Sequence, residues 1–333
     1  MVTMEDISIE LGCSINTVSK ALNNKPDVSP KTRALVLETA RRMGYVPNAL
    51  AKSLVTKSSG TLGIVVPSVT VSFYAELVET IMKGAAKQNY STFLALSSGR
   101  EDTELAAVES LYQKRADGLI IVPASPKPAY HESMQAFKMP VVYVLNDVDY
   151  PDTDFVGVDL SSCAYRVTQH LIDQHCSNIA LLCSTRTGMT WGIEEGYKRC
   201  LEDNGLSSCE DNIFKPTALL NPQDAGYEIA HILDDNIDSF DGLILEHEQL
   251  YFGVNQLLDA HGLSCPKDIL IASSIGTGVK RSPYLALTSV EADPQKIGLN
   301  ALNRLMDRVT GAADSPGTQR EHCKLVLRKT SRR

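Results

Sequence analysis

The residues with the clearest chemical reach lie near the start of the chain, in Ile15-Asn16-Thr17-Val18-Ser19-Lys20-Ala21-Leu22. On a helix, Val18, Ala21 and Leu22 share one face, while Ile15, Asn16, Thr17, Ser19 and Lys20 share the other. An amide and an ammonium among small polar neighbours suit DNA base edges, since Asn can bond adenine bidentately and Lys can approach guanine. Other constellations offer less. His247 beside Glu248 makes an acid/base pair on paper, but no nucleophile is arranged to use it. Gly276-Thr277-Gly278 follows an apolar run, yet Val279-Lys280-Arg281 stands where a phosphate loop needs its third glycine. Eight cysteines (Cys13, Cys163, Cys176, Cys183, Cys200, Cys209, Cys265, Cys323) show no C-x-x-C spacing, and seven histidines show no metal spacing. Reduced, mostly buried thiols are expected, with no metal site, disulfide framework, cofactor or catalytic centre.

The reading face needs elements to hold it. Thr3 can cap a first helix, with Asp6 three residues on in a capping box that uses Asp for Glu, and Ile7 and Leu11 form its apolar stripe. Gly12 ends that helix and Ser14 caps the second. The spacing predicts a helix-turn-helix whose second helix enters a DNA major groove. Ser29-Pro30 opens a third helix with Leu35, Val36, Thr39, Ala40 and Met43 on its apolar face, closed by Gly44. After Pro47, Asn48 can cap a helix of about two turns, marginal alone and dependent on DNA and a partner copy. Ser58-Ser59-Gly60 is a linker.

Charge is divided along the chain. Residues 1–57 hold eight Lys/Arg against five Asp/Glu, a net +3, and the whole chain is −8, leaving −11 for the remainder. A basic head on an acidic body can still dock on phosphates, because salt screens the body beyond about 8–10 Å. No run approaches the roughly 18 apolar residues of a membrane span, and no basic-then-apolar leader opens the chain, so a cytoplasmic protein is expected. From Thr61 onward, short apolar runs alternate with amphipathic helices, which predicts βαβ units and parallel sheets covered on both faces. Two such sets, before and after Phe155–Val158, imply two lobes with a cleft between them.

Thr3–Leu22, Val28-Ser29-Pro30-Lys31-Thr32-Arg33 and Gly44-Tyr45-Val46-Pro47-Asn48-Ala49-Leu50-Ala51-Lys52-Ser53-Leu54 together resemble the DNA-binding head and hinge of the LacI/GalR family of bacterial transcription regulators. The resemblance continues through Leu62–Pro67, Phe73–Leu77, Asp117–Ile120, Pro140–Val142, Val156–Asp159, Gly196-Tyr197, Pro266–Ile269 and Leu287–Val290. It implies a homodimer reading a near-palindromic operator and a core like the periplasmic binding proteins, whose lobes close on a small-molecule effector. It also implies three passages of the chain between lobes, expected near Asp159–Ser161, Thr288–Val290 and Arg320–Glu321.

Roles follow from the resemblance, position by position. Ile15, Asn16 and Lys20 are expected to face base edges; many relatives carry Arg at Lys20, and Lys lacks its bidentate fork. Thr3, Ser14, Thr17, Ser19, Asn23 and Tyr45 are expected on phosphates, and each could equally be a cap or turn residue. Leu54 is expected to wedge into the minor groove, with Leu50 and Ala51 joining hinge to hinge. The effector pocket is expected to draw on Phe73, Tyr74, Asn146, Trp191, Ile193, Asn221, Glu248 and Ile275. Relatives usually have Arg at Ile193 and Asp at Glu248, so a rigid multi-donor fork is replaced by an apolar side chain here. Trp191 could stack on a sugar face or belong to the lobe core.

The expected fold is therefore α/β. A three-helix helix-turn-helix domain (1–46) and a hinge helix with linker (47–59) precede a two-lobed periplasmic-binding-protein-like core (60–333) with mostly parallel sheets. Lobe 1 is expected over about 60–159 and 290–320, and lobe 2 over about 160–288 and 321–333. The expected function is a DNA-binding transcriptional regulator, a repressor controlled by a sugar or sugar derivative. The alternative is a small-solute-binding protein without a gene-regulatory role.

Overall fold

The computed structural model describes residues 2–46, 58–125, 127–145, 152–183, 188–208, 210–216, 222–276 and 286–332. The chain forms two compact units, Met1–Ser59 and Gly60–Arg333. In the first, α1 (Met4–Leu11), α2 (Ile15–Leu22) and α3 (Pro30–Arg42) start where side chains can cap them. The Thr3 hydroxyl accepts the Asp6 amide at 3.2 Å and the Asp6 carboxylate accepts the Thr3 amide at 2.8 Å. Ser14 and Ser29 accept the amides of Thr17 and Thr32, each at 3.1 Å. Such caps satisfy amides that the helix leaves orphaned and contribute about 1 kcal/mol apiece. Gly12 turns the chain at φ 61°, a left-handed conformation that costs glycine little. Ile7, Val18, Ala21, Val28, Val36 and Ala40 form this unit's core. The apolar face of α3 is narrower than its sequence pattern implies: Leu35 is 51% exposed. It lies about 100° round the helix from Val36, off the buried stripe.

The second unit holds two six-stranded sheets. The first set of elements is β1 (Thr61–Val66), α4 (Ser72–Lys87), β2 (Ser91–Leu96), α5 (Glu101–Gln113), β3 (Gly118–Ile121), α6 (Pro128–Gln135), β4 (Val141–Leu145) and β5 (Asp154–Val158). The second is α7 (Leu160–Asp173), β6 (Ile179–Leu182), α8 (Gly188–Asp203), β7 (Ile213–Phe214), α9 (Pro222–Leu233), β8 (Gly242–His247), α10 (Tyr251–His261), β9 (Leu270–Gly276) and β10 (Thr288–Glu291). The chain closes with α11 (Pro294–Thr310), β11 (Thr318–Glu321) and β12 (Lys324–Val326). Strand order is β11-β5-β4-β3-β1-β2 in one sheet and β12-β10-β9-β8-β6-β7 in the other. Neighbours are parallel except β12, which runs antiparallel to β10.

Pairing decides where the chain changes lobe. It leaves the first sheet at Asp159, whose carboxylate caps α7 by accepting the Ser162 amide at 2.9 Å. It returns at Ala292-Asp293, later than expected, because β10 pairs with β9 as far as Glu291. It crosses finally at His322-Cys323, because Thr318–Glu321 pairs in register with Phe155–Val158. The sequence pattern marks neither β7, which is two residues long, nor β11, a polar and mostly exposed Thr-Gln-Arg-Glu. Asp154, almost wholly buried, binds Arg304 and Arg308 and so fixes α11 against β5. A Cβ on Gly196 would fall 2.0 Å from the Ser161 carbonyl, so glycine there lets α8 lie directly on α7. Among the described residues no helix is long and apolar enough to cross a membrane.

Candidate DNA-reading face and effector cleft

In the first unit, the buried side of α2 is Val18 and Ala21. Its other side presents Ile15, 45% exposed, with Asn16 also exposed and Lys20 half-buried. The three expected base readers thus share the surface of one short helix. Lys20 does not stand alone there: its ammonium pairs with Asp27 at 2.5 Å, which holds the Asp27 carboxyl below its ordinary range. The expected phosphate donors carry local bonds. Thr3 Oγ1 donates to Asp6 at 2.8 Å, and the Ser14 and Thr17 hydroxyls bond each other at 2.9 Å. The Asn23 amide donates to the Ser19 carbonyl at 2.8 Å, and the Tyr45 backbone amide donates to Ala40 at 2.9 Å. Arg33 donates to the Lys25 and Val28 carbonyls, fixing the loop that carries Asp27. Leu50, Ala51 and Leu54 lie outside the described residues.

In each sheet the chain steps out to one neighbour and then back past its first strand, to β3 past β1 and to β8 past β6. Such switch points, at the carboxyl ends of parallel strands, are where open α/β sheets take ligands. Phe73 and Tyr74 follow β1, in the first turn of α4, and stack edge-on with ring centroids 6.2 Å apart. They share one continuous apolar core with Ile193 and Ile275 of the second lobe. Four expected pocket residues are therefore brought into one core spanning both lobes. Glu248 follows β8 with its Oε2 near Gly276, where an added Cβ would lie 3.7 Å from it in ordinary contact and only 2.8 Å from the Ser289 hydroxyl. Gln249 reaches across the lobes, its Nε2 donating to the Thr70 carbonyl at 3.2 Å. The backbone of Trp191 lies in α8 and its side chain outside the described set; Asn146 and Asn221 are outside it altogether.

Sequence reasoning passed over several charged and polar neighbours. Glu246 ends the apolar run of β8 and is 1% exposed. Strand parity puts it on the same face as Ile244, and an acid closing an otherwise apolar strand was the signal available. Burial and then the charge of Glu246 push the Tyr74 phenol well above its usual range. Burial, Glu246 and Glu194 likewise raise the Cys183 thiol, while Lys215 opposes them. Lys215 pairs with Glu194 at 2.5 Å, placing an ammonium beside the residue following Ile193. The His247 Nδ1 accepts the Gln249 amide at 3.3 Å, which assigns the proton to Nε2. Burial holds this imidazole down to about 4, so it is neutral at pH 7. No group of three or more His, Cys, Asp or Glu among the described residues could hold a metal ion. The edge strand β2 exposes Phe93, Leu94 and Leu96, at 47%, 41% and 45%, and Met82 and Leu299 are exposed on α4 and α11.

Residues 3–48 match the bacterial regulatory proteins of the lacI family, and residues 59–328 match the periplasmic binding proteins and sugar binding domain of the LacI family. Catabolite control protein A of Priestia megaterium is 29% identical over 306 residues, 91% of each chain. The HTH-type transcriptional repressor PurR of Pasteurella multocida is 24% identical over 99% of this chain and 98% of its own. The lac repressor dimer bound to operator and the anti-inducer ONPF has the same fold, with TM-score 0.85 at 22% identity over 99% of both chains. A CelR-cellobiose complex aligns at TM-score 0.70 and 21% identity, over 99% of this chain and all of the other. With both family matches falling on the two units seen in the structure, the chain belongs to the lacI family of bacterial transcriptional regulators, which join a helix-turn-helix head to an effector-binding core.

Proposed function

We propose that this protein is a cytoplasmic repressor that binds a near-palindromic operator as a homodimer and answers to a sugar or sugar derivative held between its lobes. The observation that carries this reading is the capped helix α2, which offers Ile15, Asn16 and Lys20 on one face of a basic head. In this reading those three contact base edges, and Thr3, Ser14, Thr17, Ser19, Asn23 and Tyr45 set register on phosphates. Leu54 wedges the minor groove while Leu50 and Ala51 join the paired hinges. The head spans 1–46, the hinge 47–59 and the core 60–333. The exposed apolar edge at Phe93, Leu94 and Leu96 supports pairing of two copies through the first lobe. In this reading the pocket draws on Phe73, Tyr74, Asn146, Trp191, Ile193, Asn221, Glu248 and Ile275, all taken from family position. Cellobiose in the CelR complex is in keeping with a sugar-type ligand.

Control is a population shift. Effector binds one lobe arrangement better than another, and the difference in affinity is passed to the hinges and so to DNA. Gel-shift binding of the full chain to DNA upstream of its neighbouring genes tests the reading. A sequence-specific shift that a sugar changes supports it, and no specific shift across salt and ligand conditions refutes it. A solute-binding protein without a regulatory role is the competing reading, and the DNA-binding family match over residues 3–48 opposes it.

A further inference from the structure

A carboxylate stands against the ammonium that is expected to meet a base. Lys20 lies in the last turn of α2 and Asp27 in the loop before α3, with Nζ and Oδ2 2.5 Å apart. The loop is held by backbone bonds. The Lys25 amide donates to the Lys20 carbonyl at 3.0 Å. One Arg33 nitrogen, from α3, donates to the carbonyls of Lys25 and Val28 at 2.5 and 3.3 Å. Asp27 sits between Pro26, whose ring fixes φ, and Val28, whose side chain belongs to the core of the head. Loop and core therefore place the carboxylate, and the exposed ion pair itself contributes little to stability. The two side chains are 41% and 51% exposed, so both polar tips are open to a further partner.

The ammonium of Lys20 has three donors, of which one is spent on Asp27 and two remain. The ionised carboxylate keeps acceptor capacity of its own. In the major groove a C·G pair shows, in order, the cytosine N4 donor, the guanine O6 acceptor and the guanine N7 acceptor. With Asp27 over N4 and Lys20 over O6 and N7, all three are satisfied. An A·T pair offers adenine N6 and thymine O4 in the same order, but a methyl group lies where the second Lys20 donor needs an acceptor. G·C and T·A reverse the order, setting Asp27 against an acceptor and Lys20 against a donor. A desolvated polar group left without its hydrogen bond is penalised, so the mismatch discriminates.

We propose that Lys20 and Asp27 act as one unit that reads a C·G base pair in each operator half-site, Lys20 on the guanine and Asp27 on the cytosine amino group. This rests on the reading of α2 as the helix that enters the major groove, and it adds Asp27 to the base-contacting residues. A lone lysine is a point charge without arginine's fork. Beside a fixed acceptor it gains a direction.

The test uses the full-length protein and the duplexes it selects from a library with randomised half-sites. The selected duplexes should share a C·G pair at one position of each half-site, a preference that Lys20→Ala loses. At that position, 2-pyrimidinone in place of cytosine removes only the amino group. It should weaken wild-type binding by roughly tenfold in anisotropy titrations. Asp27→Ala should bind the two duplexes alike, yet still respond to 7-deazaguanine, which removes N7 opposite Lys20. Wild-type binding that ignores the amino group, or Asp27→Ala that stays as sensitive to it, overturns the proposal while leaving Lys20 on its guanine. A Lys20→Ala protein that selects the wild-type sequences overturns the base-reading role of Lys20 and the proposal with it. Failure of the wild type to select any sequence overturns the reading of the head itself. The amino-group comparison on wild-type protein needs no variant, so it decides the matter even where a substitution disturbs the loop.

Discussion

Glu104 makes the burial argument measurable. It sits on α5 with no exposed surface and holds the segment that follows β3, at the carboxyl end of the first sheet. Its Oε1 accepts the Ala124 amide at 3.3 Å, and Oε2 is buried without a hydrogen-bond partner among the described residues. Burial pushes the carboxyl up to about 8, against the Ala124 amide that pulls it down; the ordinary value is 4.5. Between those values the folded protein keeps a proton that the unfolded chain releases. The stability linked to this group is therefore whole below about pH 4.5 and is lost as pH rises to about 8, at about 1.4 kcal/mol per pH unit and roughly 4–5 kcal/mol in all. Glu104→Gln keeps the shape and the acceptor for Ala124 and has no proton to lose. Urea unfolding of both proteins from about pH 5 to about pH 9 should show the difference moving steadily in favour of the variant. His247 and every other titrating group are common to both proteins and cancel in that difference. A difference that stays flat across the window, or runs against the variant as pH rises, refutes the burial argument.

Lys20→Ala should narrow the preference for operator over random DNA by roughly tenfold, the scale of one base contact; anisotropy titrations on both DNAs read it, and equal losses on each would move Lys20 to the phosphates. Ser14→Ala removes the α2 cap at about 1 kcal/mol, so amide exchange at Val18 and Ala21 should speed about fivefold, and Ser14→Asn should restore it. Unchanged exchange would mean that packing alone fixes the start of that helix. Leu54→Ala should weaken operator binding and reduce the bend measured by circular permutation, whereas an unaltered bend assigns the wedge to another residue. Glu248→Ala should leave operator binding intact and remove its response to whichever sugar stabilises the wild-type core in a thermal screen; a retained response places that sugar elsewhere.

What could be read from the sequence was local. The caps at Thr3, Ser14 and Ser29 act within a single turn, so residue type and spacing suffice to place them. Parallel strands covered on both faces leave continuous apolar runs, which is why Leu62–Val66 and Gly118–Ile121 stand out. Pairing across the sheet leaves no such trace. Thr318–Glu321 is a strand only because Phe155–Val158 offers it an edge, and the second lobe passage depends on how far β10 follows β9. The candidate site divides the same way. Phe73, Tyr74, Ile193 and Ile275 are placed by family position and lie in the core that runs through both lobes, whereas the burial of Glu246 and the pairing of Lys20 with Asp27 depend on tertiary placement. Leu54, Asn146 and Asn221 lie outside the described residues.

The route of residues 288–332 bears on how the protein is made. This stretch supplies β10 to the second sheet, α11 and β11 to the first, and β12 to the second again. As the chain emerges from the ribosome, the head has every residue of its own core from Ile7 to Ala40 long before either lobe has all its strands. The first lobe waits for Arg304 and Arg308 to meet Asp154, and the second waits for β12 to cover the free edge of β10. Domains usually fold as units, N-terminal first during synthesis. Here the final stretch completes both lobes together, so a truncated product can carry a folded DNA-reading head but no finished sensor.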